Sequence, residues 1–215
     1  MCWNKEVSLN TFLFSSFVLG LVVYNARYTK YKMSLFQNNW IVVFFMSFIV
    51  IQLIEYFIWK NIKHPFYNTV FSTIAAVVVL LQPMISLMLI QNNLKLRNVI
   101  MFFYLLYFVP FVAYKAMTKR VHTIVNDKGN LSWQFFGITP FGCAVWLFTF
   151  LFPLLYMHIF YGFLFGVVTV LIIFMNYKDK NSISSLWCWV VNSVMVFCAG
   201  YLLFYLPFKE KMRLC

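Results

Sequence analysis

Glu55 is the residue of this chain with the clearest capacity for chemistry. It lies within a long apolar stretch, and Gln52, three positions earlier, would share its face of a helix. An ionisable side chain inside a membrane costs about 2.5 to 3.5 kcal/mol on insertion scales, so such groups usually face protein or water and often mark an ion or proton path. The alternative is that Glu55, only about 7 Å along the helix from Lys60, snorkels to the membrane face or pairs with Lys60 or Lys63.

Other polar side chains are expected at a similar depth in neighbouring apolar segments. They are candidates to line a polar cavity around the carboxylate. The alternative is that each forms an ordinary hydrogen bond between helices, worth about 0.6 kcal/mol on average in measured cases. The residues predicted to line an ion or solute path are Glu55, Gln52, Asn192, Tyr107 and Ser72.

The pair Gln82-Pro83 interrupts another apolar segment. Proline removes one backbone N–H, which frees a carbonyl in the preceding turn. Transporters often build binding sites from interrupted helices near the middle of the membrane. The alternative is a kink with a structural role only.

The composition indicates that these residues belong to a membrane protein. Of 215 residues, 63% are hydrophobic and 10% are charged, whereas soluble domains contain about 25% charged residues. The net charge of +12 comes from basic residues in short clusters between apolar runs, as in loops that meet lipid headgroups. We therefore expect membrane lipid as a partner and no nucleic acid, and we leave open a homo-oligomer.

The apolar runs predict an all-α fold in which one domain, residues 1–215, forms a transmembrane bundle of about seven spans. Proline is tolerated within such spans because neighbouring helices re-satisfy the freed carbonyl. Residues 140–176 carry no charged side chain and are too long for one span, so we expect them to turn around 156–162. Pro207 is expected to end the last span. The predicted spans are 11–26, 41–59, 68–90, 99–114, 140–156, 160–176 and 183–206.

A β-hairpin is predicted at about 121–135, between the fourth and fifth spans. Alternating β-branched and aromatic residues flank an Asn-Asp-Lys-Gly-Asn turn at 126–130, which is the usual hairpin pattern.

The orientation is predicted from the first span. Lys5 alone precedes it, whereas Arg27, Lys30 and Lys32 follow it, which favours an amino terminus outside and a carboxyl terminus in the cytoplasm. Asn130-Leu131-Ser132 fits the glycosylation acceptor pattern and would lie on the outer face. A cytoplasmic Cys215 is a candidate for palmitoylation.

No metal or cofactor site is predicted. In a seven-span arrangement His64 and His122 lie at one membrane face and His158 lies near the other, so they cannot form a three-histidine metal site. The five cysteines contain no C-x-x-C pair. The chain also has no G-x-S-x-G or H-E-x-x-H signature.

Several short motifs give the chain a family resemblance. It resembles a family of small polytopic membrane proteins of unknown function seen in large DNA viruses and in microbes. The resemblance implies that Trp3, Glu55 and the hairpin are family features, and it transfers no catalytic or binding residue. The motifs are Met1-Cys2-Trp3, Val7-Ser8-Leu9, Gln52-Leu53-Ile54-Glu55, Gln82-Pro83 and Leu131-Ser132-Trp133.

Three functions remain open from the sequence. The first is a non-enzymatic channel or transporter for an ion or small solute, with a polar cavity near Glu55. The second is a membrane-remodelling or interaction protein whose hairpin and basic tail recruit partners or anionic lipid. The third is a membrane-embedded lipid-modifying enzyme that uses Glu55 with His64 or His122 as acid and base.

Overall fold

A computed structural model describes residues 4–118, 121–136, 139–176 and 180–214. The fold is mostly helical, with 82% of the residues in helices, and the described residues also form one small antiparallel sheet. These features agree with the predicted helical bundle and its hairpin.

The first two helices form an antiparallel pair. Helix α1 (Lys5–Tyr28) begins at Asn4, whose side chain accepts hydrogen bonds from two N–H groups of the first turn. A short 3₁₀ turn precedes α2 (Asn39–Lys60), where Asn38 supplies the same kind of cap. Each helix is slightly longer than its apolar core because capped polar turns extend it at both ends.

Helices α3 (Pro65–Leu87) and α4 (Leu94–Met117) each contain an internal proline, Pro83 and Pro110. Both helices continue through the proline, as expected for spans packed against neighbours. Their positions in the bundle differ: α3 packs against α2 and α5, whereas α4 lies at the periphery.

The predicted hairpin is present. Strands β1 (Thr123–Val125) and β2 (Leu131–Trp133) pair antiparallel, with Thr123 opposite Trp133. Gly129 adopts φ 75° in the turn, a left-handed conformation that glycine enters without the steric cost of a Cβ. Strand β2 packs against the helix that forms the last long segment, so the hairpin covers one end of the bundle.

The long uncharged segment turns back on itself where predicted. Helix α5 (Pro140–Tyr156) and helix α6 (Phe160–Asn176) have the expected bounds. The chain reverses through three residues, and His158 adopts φ 57° there. This left-handed residue allows two helices to pack side by side with so short a connection.

The last helix continues past Pro207, where the last span is predicted to end. Helix α7 (Lys180–Gly200) passes into a π-helical turn (Tyr201–Tyr205) and then into α8 (Leu206–Leu214). Pro207 lies just after the wide turn. Because a π-turn shifts the hydrogen-bond pattern by one residue, it accommodates a proline that would otherwise clash with the preceding turn.

Five helical segments are long and apolar enough to cross a membrane. Helices α5 and α6 are apolar but shorter, with 17 residues each. At about 1.5 Å per residue, 17 residues reach about 25 Å, the lower limit for a span. The five long segments are Lys5–Tyr28, Asn39–Lys60, Pro65–Leu87, Leu94–Lys115 and Asn181–Glu210.

Aromatic rings fill the centre of the bundle. Phe48 of α2, Phe150 of α5 and Trp187 of α7 meet at one point, with ring centroids 5.1 to 6.3 Å apart. Trp146 stacks on Phe150 at 5.2 Å. These contacts hold α2, α5 and α7 together and fix which of their faces point inward.

Candidate functional site

Glu55 is buried between α2 and α7. Its carboxyl group is 4% exposed and accepts a hydrogen bond from the Ser185 hydroxyl. Gln52, one helical turn earlier, lies beside it. The carboxylate therefore faces the interior of the protein rather than the surrounding solvent or lipid.

The alternative role for Glu55 as the partner of a nearby lysine is wrong. Across the described ranges the structure contains one ion pair, between Lys30 and Glu210, and Glu55 forms none with Lys60 or Lys63. Its carboxyl group instead accepts the hydrogen bond from Ser185 of α7. Glu55 is thus a buried acid without a neutralising cation.

Two buried glutamine side chains lie close to this acid. Gln52 and Gln82 are both 0% exposed, and the side-chain oxygen of neither amide accepts a hydrogen bond from the described residues. Gln82 of α3 lies beside the Cys188 thiol, which is itself within electrostatic range of Glu55. Unpartnered buried amides are rare in folded proteins, where most buried polar atoms are bonded.

Asn192 contributes a third unpartnered amide oxygen. Its NH₂ group donates to the Cys188 carbonyl at 2.8 Å and to the Phe48 carbonyl at 3.4 Å. Those two bonds fix which end of the amide is nitrogen, and its oxygen is left buried without a donor. Asn192 therefore links α7 to α2 at Phe48, one helical turn before Gln52.

We call this group the Glu55 cluster. It joins three helices through buried polar atoms. The amide oxygens of Gln52, Gln82 and Asn192 accept no hydrogen bond from the described residues. Its members are Glu55 and Gln52 of α2, Gln82 of α3, and Ser185, Cys188 and Asn192 of α7.

Ser72, predicted to line the same path, instead anchors the hairpin. Its hydroxyl bonds to Asn68 at 3.1 Å and lies 2.7 Å from the Thr123 hydroxyl. Asn68 also accepts from the Thr123 N–H at 2.9 Å and donates to the Thr123 carbonyl at 2.8 Å. This buried set is fully bonded and fastens β1 to α3.

Tyr107 also bonds away from the Glu55 cluster. Its hydroxyl lies 3.0 Å from the Thr139 hydroxyl, between α4 and the start of α5. A Cβ added at Gly142 would come within 2.5 Å of the Tyr107 oxygen, so glycine makes room for the ring. The hydrogen bonds of Tyr107 and Ser72 therefore tie helices and hairpin together.

The carbonyls freed around Pro83 have structural partners. Proline cannot donate to the Val79 carbonyl, and the Trp146 indole N–H takes that place at 3.1 Å. The Tyr104 hydroxyl donates to the adjacent Leu80 carbonyl at 2.7 Å. The carbonyls around Pro83 thus serve the packing of α3 against α4 and α5, while the Gln82 side chain itself joins the Glu55 cluster.

Three further sequence hypotheses receive no support from the site. Asn130 is 3% exposed, so its buried side chain does not fit a glycosylation acceptor. Glu55 bonds to Ser185 rather than to His64 or His122, so the acid and base pair of the enzyme hypothesis is not formed. Cys215 lies outside the described residues.

Sequence reasoning missed Ser185, Cys188 and the side chain of Gln82. A signal for Ser185 was present: it lies five residues after Lys180, just as Glu55 lies five residues before Lys60. Two antiparallel spans with equal distances from the same face bring such residues to one level. Cys188 carried no such signal, because apolar contacts alone also bury a cysteine.

Comparison with family models, curated proteins and solved structures gave no match. The resemblance to small polytopic proteins therefore rests on the sequence motifs, of which Met1-Cys2-Trp3 lies outside the described residues. Function is inferred below from the Glu55 cluster itself.

Proposed function

We propose that this chain is an integral membrane protein whose seven apolar helical segments cross the bilayer and whose Glu55 cluster binds and passes a small ion. Five segments have the length and composition of spans. Phe102, Phe103 and Leu106 of α4 are each at least 60% exposed. A continuous apolar surface of this kind is stable when lipid covers it.

One observation carries the ion-binding function: among the described residues, a buried acid has no cationic partner and lies near buried amide oxygens that accept no hydrogen bond. Each unsatisfied polar group inside a protein costs about 1 to 3 kcal/mol. A purely structural bundle gains nothing from that cost. An ion that visits the site would use these groups, and intramembrane acids commonly serve such paths.

The same proposal includes an orientation. Arg27, Lys30 and Lys32 lie at the end of α1 and in the loop after it, and the positive-inside rule favours a cytoplasmic position for that loop. The amino terminus and the hairpin would then lie outside. Anionic lipid headgroups would be the partners of the basic loop and of α8.

The test is ion flux through purified protein in liposomes. Proton and cation flux should exceed that of protein-free liposomes and should fall to this background in Glu55→Gln, which keeps the shape of the side chain and removes its charge. Glu6→Gln is the matched control, because Glu6 is exposed in the first turn of α1. It should retain full flux.

A second candidate is an interaction protein whose bundle only supports the hairpin and the basic α8. The close aromatic contacts among Phe48, Phe150 and Trp187 favour it, because they fill the bundle centre beside the cluster. Background flux in the wild-type protein under every ionic condition would favour this function over ion passage.

A further inference from the structure

The unpaired atoms of the Glu55 cluster share one chemistry. Gln52, Gln82 and Asn192 each present a buried amide oxygen that accepts no hydrogen bond. The NH₂ group of Asn192 is held by the Cys188 and Phe48 carbonyls, so its oxygen lies about two helical turns from Glu55, whereas Gln52 and Gln82 lie about one turn away. Amide and carboxylate oxygens are ligands of hard cations, and in membranes such oxygens replace the hydration shell of an ion.

The charge of the cluster selects a monovalent ion. Glu55 is its one carboxylate, and the structure gives it no ion pair in any described range. One negative charge balances one positive charge, whereas a divalent cation would leave a net buried charge at high cost. Within the described residues, no group of three or more His, Cys, Asp or Glu side chains could hold a metal ion, which argues against a transition metal.

The Ser185 hydroxyl is a further oxygen ligand in the Glu55 cluster. Its hydroxyl donates its hydrogen to the Glu55 carboxylate, so its lone pairs remain available. A hydroxyl in this position can bind a cation while it holds the carboxylate in orientation. Ser185 is 8% exposed and therefore sits inside the same protected site.

We propose that the Glu55 cluster binds a dehydrated monovalent cation of the Na⁺ type, rather than a proton alone. Its ligands are the Glu55 carboxylate, the Ser185 hydroxyl and the amide oxygens of Gln52 and Gln82, which lie within one helical turn of that level. The proposal rests on the proposed function and names its ion. Helices α2, α3 and α7 each supply ligands, so ion binding also ties these helices together.

The test uses dicyclohexylcarbodiimide, an apolar reagent that modifies protonated carboxyl groups within membranes. Modification of Glu55 is followed by mass spectrometry at one fixed pH, in NaCl or in choline chloride at equal ionic strength. At ten times the dissociation constant, Na⁺ leaves about one site in eleven free, so modification should slow about tenfold. Choline is too large to enter and should not protect.

Gln82→Leu separates ion binding from reagent access. It removes a ligand oxygen but keeps the carboxyl group, so Glu55 should still react while the protection by Na⁺ weakens. Equal rates in NaCl and choline chloride for the wild-type protein would overturn the proposal. If Glu55 resists the reagent, equilibrium binding of radioactive Na⁺ decides: binding by wild type but not by Glu55→Gln supports the site, and no binding overturns it.

These outcomes are separable from the flux test. Protection by Na⁺ without flux would retain the cation site and remove the ion path. Proton flux that depends on Glu55, without protection by Na⁺, would retain the path and remove the cation site.

Discussion

Two groups of buried polar residues in the bundle differ in their hydrogen bonding. One group anchors the hairpin and bonds the carbonyls around Pro83, and the other is the Glu55 cluster. Asn68, Ser72 and Trp146 each bond to a named partner on another element. Gln52 and Gln82 are equally buried, but their amide oxygens accept no hydrogen bond from the described residues. Buried polar groups with partners stabilise a fold, whereas those without partners destabilise it. On this difference we base the proposal that the first group holds the bundle together and that the Glu55 cluster binds an ion.

The largest effect is expected at the hairpin anchor. Asn68→Leu should lower the free energy of unfolding by about 3 kcal/mol, because the buried N–H and C=O groups of Thr123 lose their partner together. Unfolding in mixed detergent micelles measures the change, and faster hydrogen exchange in 121–135 locates it. Asn176→Leu is the control, since that exposed side chain bonds only within its own helix. Equal stability of both variants would contradict the anchoring role.

A smaller loss is expected at Pro83 of α3. Trp146→Phe removes the donor to the Val79 carbonyl, which Pro83 cannot satisfy. The matched control is Trp133→Phe, because the buried Trp133 indole N–H has no partner among the described residues. Trp146→Phe should cost about 1 kcal/mol more than its control in the same unfolding assay. A reversed order would show that the indole bond does not stabilise α3 at the proline.

The Glu55 cluster should respond with the opposite sign. Gln82→Leu replaces an amide whose oxygen accepts no hydrogen bond from the described residues with an apolar side chain of similar size, so the free energy of unfolding should rise by up to about 1 kcal/mol. Ion flux should fall in the same variant. A loss of stability comparable to that of Asn68→Leu would place Gln82 among the structural residues and would remove the distinction between the two groups.

The smallest effect is expected outside the bundle core. Glu210 of α8 forms an ion pair with Lys30 and accepts a hydrogen bond from Tyr31. The Glu210 carboxylate raises the pKa of the Lys30 ammonium group, so Lys30 stays charged at neutral pH. The stability that this raised pKa contributes is fully present below the ordinary pKa of lysine. It is lost as the pH rises through the pKa of Lys30 in the folded protein.

Because the Lys30 side chain is exposed, salt should screen this pair. Glu210→Gln should change stability only slightly at low salt and not measurably at high salt. The check is thermal unfolding of both proteins at the two salt concentrations. A large loss that persists at high salt would show that the pair is more than a surface contact.

Much of the fold could be predicted from the sequence. Apolar runs and their charged ends located the helices, and the turn residues at 126–130 located the hairpin, because both signals are local along the chain. The helix through Pro207 was missed, because the π-turn that accommodates the proline has no simple sequence pattern. Local patterns therefore gave the elements but not every boundary.

The site was predicted less completely than the elements. Glu55, Gln52 and Asn192 were identified because polar residues are conspicuous in apolar runs. Ser72 and Tyr107 looked the same by that criterion, yet they bond to the hairpin and to Thr139. Which polar groups find partners depends on helix rotation and tilt, and those follow from packing between segments far apart in sequence.

The most direct test of the central claim is ion flux in liposomes for wild type and Glu55→Gln at equal protein content. We expect the wild-type protein to pass ions and the variant to fall to the protein-free background, with its helical content unchanged. Equal flux in the two proteins, or none in either, would contradict an ion path through the Glu55 cluster.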